Sequence, residues 1–161
     1  MTKIAIYPGS FDPITRGHEE IMKKASRLFD KVYVVVCVNA NKPAALFSIE
    51  ERVEMLKKVT AKYPNLEVSS YVGMAVDYAV KVGAVAMIRG VRNAKDFDAE
   101  ITQYYFNHKI NRNIETVVLM PDVQSLYVSS SAVKELASFN RDFSKFVPAE
   151  IYEEVKARLV K

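Results

Sequence analysis

The chain has 161 residues, half of them hydrophobic, with 23 basic against 19 acidic side chains and a net charge of +4. That length predicts one domain, residues 1–161, burying roughly 70% of its unfolded surface, and a composition with only five Gly and six Pro excludes disordered and fibrous classes. A positive charge this mild, with no Arg- or Lys-rich tract, suits small anions and argues against nucleic acid as a partner.

The apolar run Ile4-Ala5-Ile6 reads as a buried first strand. It leads into a loop from Tyr7 to His18 that holds two Pro, two Gly, a Ser, a Thr and one of the chain's two His. Ile21, Met22, Ala25, Leu28 and Phe29 then recur at the spacing of one helix face. Lys31–Val38 is a β-branched run of the kind covered on both sides, and its Cys37 reads as a small buried hydrophobe that has no partner for a disulfide. Asn39–Leu46 is a polar loop with Lys42 and Pro43. Ser48-Ile49-Glu50-Glu51 is a capping box opening a helix with Ile49, Val53, Leu56 and Val59 inward, broken at Tyr63-Pro64-Asn65.

A third strand is predicted at Leu66–Tyr71, a short helix at Met74–Val82 stopped by Gly83, and a fourth strand at Ala84–Ile88. Arg89-Gly90-Val91-Arg92 then reads as a loop, and Asp96 as the cap of a longer helix burying Phe97, Ile101, Tyr104 and Tyr105 in the core or an interface. His108 on that helix has a partly buried, structural reading. Thr116–Met120 is the fifth strand, Pro121–Val128 a loop, and Ser129-Ser130-Ser131 the start of a helix to about Phe139. Pro148 suits the first turn of a closing helix with Ile151, Tyr152, Val155 and Leu159 inside. Alternating strands and helices predict an α/β fold: a single Rossmann-like, doubly wound, five-stranded parallel sheet with right-handed crossovers. No apolar stretch approaches the ~18 residues of a membrane span, and the first residues lack the pattern of a leader. A cytoplasmic protein is expected.

In such a sheet the loops after the strands share one edge, where nucleotides bind. Three of them carry phosphate-handling groups. The first offers Ser10, backbone N–H groups around Gly9 and Phe11, and His18 near a helix start, where a neutral imidazole N–H donor is favoured over imidazolium; Gly9 and Gly17 would let backbone approach a ligand. The second sets Arg89 and Arg92 around Gly90, and guanidinium suits a bidentate grip on phosphate oxygens. The third, Ser129–Ser131, places hydroxyls and N–H groups at a helix N-terminus. There is no P-loop, no Gly-x-Gly-x-x-Gly fingerprint, no Gly-x-Ser-x-Gly elbow and no zinc-ligand set.

The stretch Gly9-Ser10-Phe11-Asp12-Pro13 with Thr15-Arg16-Gly17-His18 resembles the (His/Thr)-x-Gly-His signature of the nucleotidyltransferase superfamily, and Val128-Ser129-Ser130-Ser131 resembles its Ile-Ser-Ser-Ser/Thr signature. The nearer resemblance is to bacterial phosphopantetheine adenylyltransferases, whose pattern Tyr-Pro-Gly-Ser/Thr-Phe-Asp-Pro-Ile-Thr-x-Gly-His is matched from Tyr7. Phe47–Arg52, Ile88–Arg92 and Asp96-Phe97 match that family in order, so the likeness covers nearly the whole chain. It implies transfer of the adenylyl group of ATP to 4′-phosphopantetheine, with Mg²⁺, by a homohexamer. Carried over by position, Ser10 touches both substrates and His18 is the catalytic group, binding ATP phosphate and steadying the transition state. Lys42 and Arg89 bind phosphopantetheine with Ala75 in the pocket wall. Phe11, Gly90, Val91, Arg92, Glu100 and the segment Ser125, Leu126, Tyr127, Val128, Ser129, Ser130 and Ser131 bind ATP. Ser10 stands where Thr is commoner, Val128 where Ile is usual, and the Asn39–Leu46 loop varies in length within the family. The alternatives are a relative acting on nicotinate mononucleotide or a polyol phosphate, and a nucleotide-binding module without catalysis.

Overall fold

A parallel sheet needs each strand covered on both faces, and the apolar runs of this chain meet that demand in order. The computed structural model describes residues 1–38 and 44–160; Lys42 lies outside them. Among the described residues the strands are β1 (Ile4–Gly9), β2 (Lys31–Val38), β3 (Leu66–Val72), β4 (Ala86–Gly90) and β5 (Glu115–Leu119). All pairings are parallel, in the order β3-β2-β1-β4-β5. The helices are α1 (Arg16–Leu28), α2 (Ile49–Thr60), α3 (Ala75–Lys81), α4 (Ala94–Ile110), α5 (Ser130–Ser138) and α6 (Tyr152–Leu159). The doubly wound five-stranded sheet expected from the sequence is the one observed.

Side chains alternate across the strands and divide the core in two. Ala5, Tyr7, Val34 and Val36 pack with Ile21, Met22, Leu56, Val133 and Val155, from α1, α2, α5 and α6. Ile6 and Val35 pack on the other face with Val76 and Ala79 of α3. That second layer is thinner, and α4 is where the inward pattern fails. Phe97, Ile101 and Tyr105 are exposed, Tyr105 at 66%, and Asn107 is the residue that α4 buries. Its amide reaches the Met87 sulfur beneath the sheet. His108 is half-buried and stacks on Tyr104 at 5.3 Å.

Element ends differ from expectation for local reasons. Asn93, not Asp96, caps α4: its side chain accepts from the Asp96 N–H at 2.9 Å, which frees the Asp96 carboxylate for Arg92. Arg89 and Gly90 belong to β4 rather than a loop, because β5 extends alongside them in the register Arg89↔Val118 and Gly90↔Leu119. Leu28 ends α1 facing solvent, and Pro148 precedes a 3₁₀ turn at Ala149–Ile151 rather than sitting within α6. A second 3₁₀ turn, Val123–Ser125, lies inside the expected Pro121–Val128 loop.

The chain reverses its winding between β1 and β4. Those strands pair only at Ala5↔Ala86 and Ile6↔Met87, and beyond that point they part. Their carboxyl ends therefore open a crevice at the switch point of the sheet, the standard place for a ligand in this architecture.

Candidate active site

The crevice is a cleft of about 430 Å³ floored by Tyr7, Pro8 and Gly9, a size suited to a small-molecule ligand. The end of β1, the turn after it and the start of α1 give it Ser10, Phe11, Thr15 and His18; β4, α4 and the link between them give Arg89, Gly90, Arg92, Asp96 and Glu100; the approach to α5 and its first turn give Val128 to Ser131. The three loops singled out from sequence thus converge on one cavity.

Phe11 shapes the first wall. Its φ of +50° is a left-handed conformation that an aromatic residue rarely takes, held because the ring is fully packed. The ring meets Tyr7 edge-on at 5.4 Å and His18 edge-on at 5.1 Å. A Cβ on Gly9 would lie 2.9 Å from its Cζ. Gly9 is therefore small to make room for the Phe11 ring, and it lies in the floor of the cleft.

His18 occupies the third residue of α1 in an unusual capping box. The Thr15 hydroxyl accepts from the His18 backbone N–H at 3.4 Å, while the Thr15 backbone N–H donates to His18 Nδ1 at 3.0 Å. An acceptor Nδ1 places the ring proton on Nε2. Burial of the ring, reinforced by the nearby Arg92 cation, lowers the His18 pKa from 6.5 to about 4. The site therefore holds a neutral imidazole with one N–H donor, as anticipated. Tyr7 below it is pushed far above its ordinary pKa by burial and stays a neutral phenol.

The two arginines are each aimed by a carboxylate. Arg89 donates through Nε to Glu100 at 2.8 Å and through Nη1 to the Pro8 carbonyl at 3.2 Å. Arg92 donates through Nε to Asp96 at 3.0 Å and through Nη1 to the Val128 carbonyl at 3.1 Å. Each fork is fixed before any ligand arrives, with N–H groups left to give. At the opposite wall the Ser129 hydroxyl caps α5 by accepting from Ala132 N at 3.0 Å, and the Ser130 hydroxyl donates to Pro13 O at 2.7 Å. The backbone N–H groups of Ser130 and Ser131 begin the helix with no intrahelical partner, a ready phosphate cradle.

Ser10, Phe11, His18, Arg89, Gly90, Arg92, Glu100 and Val128–Ser131 all line the cleft. Val91 does not: it is buried, and its N–H donates to Leu119 O. Ser125 is buried with its hydroxyl on Glu20, Leu126 and Tyr127 are exposed outside the cleft lining, and Ala75 packs against the α3-side core. Lys42 lies outside the described residues. Sequence reasoning passed over Thr15 and Asp96 as site residues, although the Thr15-x-x-His18 spacing of a capping box and the i,i+4 spacing of Arg92 and Asp96 were both visible.

Strand order, switch-point cleft and helix-start cradles define a mononucleotide-binding α/β domain. A family model described as cytidylyltransferase-like matches residues 6–136. Phosphopantetheine adenylyltransferase of Clostridium perfringens (strain 13 / Type A) is 42% identical over 98% of this chain and 96% of its own. That of Caldanaerobacter subterraneus subsp. tengcongensis is 46% identical over 99% of both. A putative nicotinate-nucleotide adenylyltransferase from Vibrio parahaemolyticus superposes with a TM-score of 0.69 over 96% of this chain and 99% of its own, at 17% identity, which bears on the fold alone. The chain belongs to the cytidylyltransferase-like nucleotidyltransferases and, within them, to the phosphopantetheine adenylyltransferase family.

Proposed function

We propose that the chain transfers the adenylyl group of ATP to 4′-phosphopantetheine, giving dephospho-coenzyme A and pyrophosphate, in the cytoplasm. The observation that carries the mechanism is His18, its Nδ1 accepting from the Thr15 N–H, lining one cleft with Arg89, Arg92 and Ser129–Ser131. An oxygen of the phosphopantetheine phosphate attacks the α-phosphorus of ATP, a new phosphoanhydride bond forms, and the bond to the β-phosphate breaks as pyrophosphate leaves. A phosphate monoester has its second pKa near 6, so the nucleophile is already largely dianionic and needs no general base. What it needs is alignment with a second anion and relief of the charge that builds on the α-phosphate.

In this reading Ser10, Lys42 and Arg89 hold the acceptor phosphate, with Ser10 also facing ATP. Phe11, Gly90, Arg92, Glu100 and Val128–Ser131 serve ATP, and His18 Nε2–H donates to the α-phosphate oxygen. ATP enters as its Mg²⁺ complex. Among the described residues no group of three or more His, Cys, Asp or Glu could hold a metal, and the cleft carboxylates Asp96 and Glu100 are committed to arginines. The protein side of the cleft does not fit a resident ion, and no step is assigned to one. A homohexamer is the proposed assembly, supported by the outward apolar face of α4. Among the described residues no helix is long and apolar enough to cross a membrane.

Pyrophosphate release from ATP with phosphopantetheine, nicotinate mononucleotide and glycerol 3-phosphate as separate acceptors tests the assignment. Turnover is expected with phosphopantetheine; turnover only with one of the others, or nucleotide binding without release, overturns it.

A further inference from the structure

The floor of the cleft holds one polar group that the fold leaves unused. Tyr7 turns its ring to the α1 side of the sheet, where it is 4% exposed and meets Phe11 edge-on. Burial and the charges of Arg89 and Glu100 act on its phenol; among the described residues no hydrogen bond does. The equally buried Tyr78, by contrast, has its hydroxyl met by Ser69 at 2.6 Å. The Tyr7 hydroxyl is nonetheless not sealed off. Among the described residues the one enclosed side-chain polar atom without a partner is His108 Nδ1, and Tyr7 lines the cleft. Its hydroxyl therefore opens on the cavity beside Gly90, where an added Cβ would stand 3.8 Å from the oxygen.

As packing alone such a group is costly. A phenol withdrawn from most of its water with no protein partner forfeits hydrogen bonds it had in solution. Phenylalanine would present the same ring to Phe11 without that loss. A neutral phenol O–H is a donor, and its surroundings select what it can donate to. The phosphate-handling groups stand elsewhere, with His18 beyond the Phe11 ring and the free N–H groups at the start of α5. The charges that reach the hydroxyl belong to one ion pair, Arg89 with Glu100 at 2.8 Å. Next to it the lining is uncharged. Ile21 lies against Gly90, Gly17 is one helical turn before Ile21 and close to the Val128 carbonyl, and Pro121 completes the strip. That strip suits the uncharged part of a nucleotide, its nucleoside.

We propose that the Tyr7 hydroxyl is a nucleoside-binding donor, giving its hydrogen to an acceptor atom of the ribose or base of ATP as that part lies along the Gly17–Ile21–Gly90 strip. The inference rests on ATP as the nucleotide. No bond to phosphorus forms or breaks at Tyr7. The contact holds the nucleotide equally before and during transfer, so its loss belongs in the affinity for ATP rather than in kcat.

Tyr7→Phe removes one oxygen and keeps the ring. Calorimetric titration of wild type and variant with ATP and, separately, with inorganic tripolyphosphate, both with Mg²⁺, tells the nucleoside from the phosphate chain. Thermal unfolding of the two ligand-free proteins reads any part the hydroxyl plays in the fold. The variant is expected to bind ATP about three- to tenfold more weakly, the worth of one neutral hydrogen bond. It is expected to bind tripolyphosphate as wild type does and to unfold at the same temperature or higher. An unchanged affinity for ATP, an equal loss for tripolyphosphate, or a lowered Tm overturns the inference. Wild type that binds no ATP overturns the proposed function with it. Wild type that binds ATP but turns over another acceptor overturns the proposed function alone, and the comparison of Tyr7→Phe with wild type still decides the role of the hydroxyl.

Discussion

At the scale of one residue, the chemistry turns on which nitrogen of His18 carries the proton. The Thr15 backbone N–H spends its donor on Nδ1, so Nε2–H is the group the cleft receives. Losing one such donor from a preorganised anion site typically costs ~2.7–4 kcal/mol, or roughly 10²–10³ in rate. His18→Ala is therefore expected to lower kcat by that factor while the KM for ATP changes by a few-fold. An unchanged kcat removes His18 from its role. The protonation state has its own check. With the folded pKa at about 4 and the ordinary value at 6.5, the native state refuses a proton that the unfolded chain accepts between those values. Stability thus falls as pH drops through that window and loses nothing more to this residue below it. In the free enzyme the His18 ring resonances should titrate near pH 4 by NMR; a midpoint near 6.5 would show the ring open to water. The acid limb of kcat/KM is then expected near pH 6, from the substrate phosphate.

At the scale of elements, α1 does more than supply His18. Its Glu20 accepts from the Asp122 N–H at 2.8 Å and from the Ser125 hydroxyl at 2.6 Å, and its Lys24 donates to the Met120 carbonyl and to Asp122. The helix thereby latches the connection from β5 to α5, which leads into the residues assigned to ATP. Glu20→Ala is expected to raise the KM for ATP several-fold with little change in that for phosphopantetheine, and to speed amide exchange across residues 120–129. Unaltered exchange there would mean the latch is not what holds the segment. None of this was readable in the chain order. The β-branched runs, the Ser48–Glu51 box and Gly83 were legible because their signals are local. The Glu20–Ser125, Arg52–Ser10 and Asp12–Phe47 pairs join residues far apart in sequence, which no periodicity reports. Arg89 reads as a loop residue for a related reason: whether a strand continues depends on its neighbour, and its partner Val118 in β5 is 29 residues away. The converging loops were legible only because parallel topology brings every strand end to the same edge.

At the scale of the whole molecule, the outward face of α4 is the feature that the isolated fold leaves unexplained. Phe97, Ile101 and Tyr105 follow one another at four-residue intervals, and Phe106 and Ile110 form a second row beside them; all five are exposed. A helix face of this width is normally buried against something, and scattered surface apolars do not align in two rows. The same helix carries Glu100 and Asp96, which aim Arg89 and Arg92 into the cleft, so whatever covers α4 also steadies both guanidinium forks. A further copy of the chain is the occupant that the proposed hexamer supplies. Replacing Tyr105 and Phe106 together by Glu would place two charges in that contact while removing no core side chain, since both are already exposed. The wild-type protein is expected to sediment and scatter light as a hexamer, and the double variant as a smaller species with a folded far-UV spectrum and a reduced kcat. A wild-type protein that sediments as a monomer would refute the assembly, and a variant that stays hexameric would move the interface away from α4.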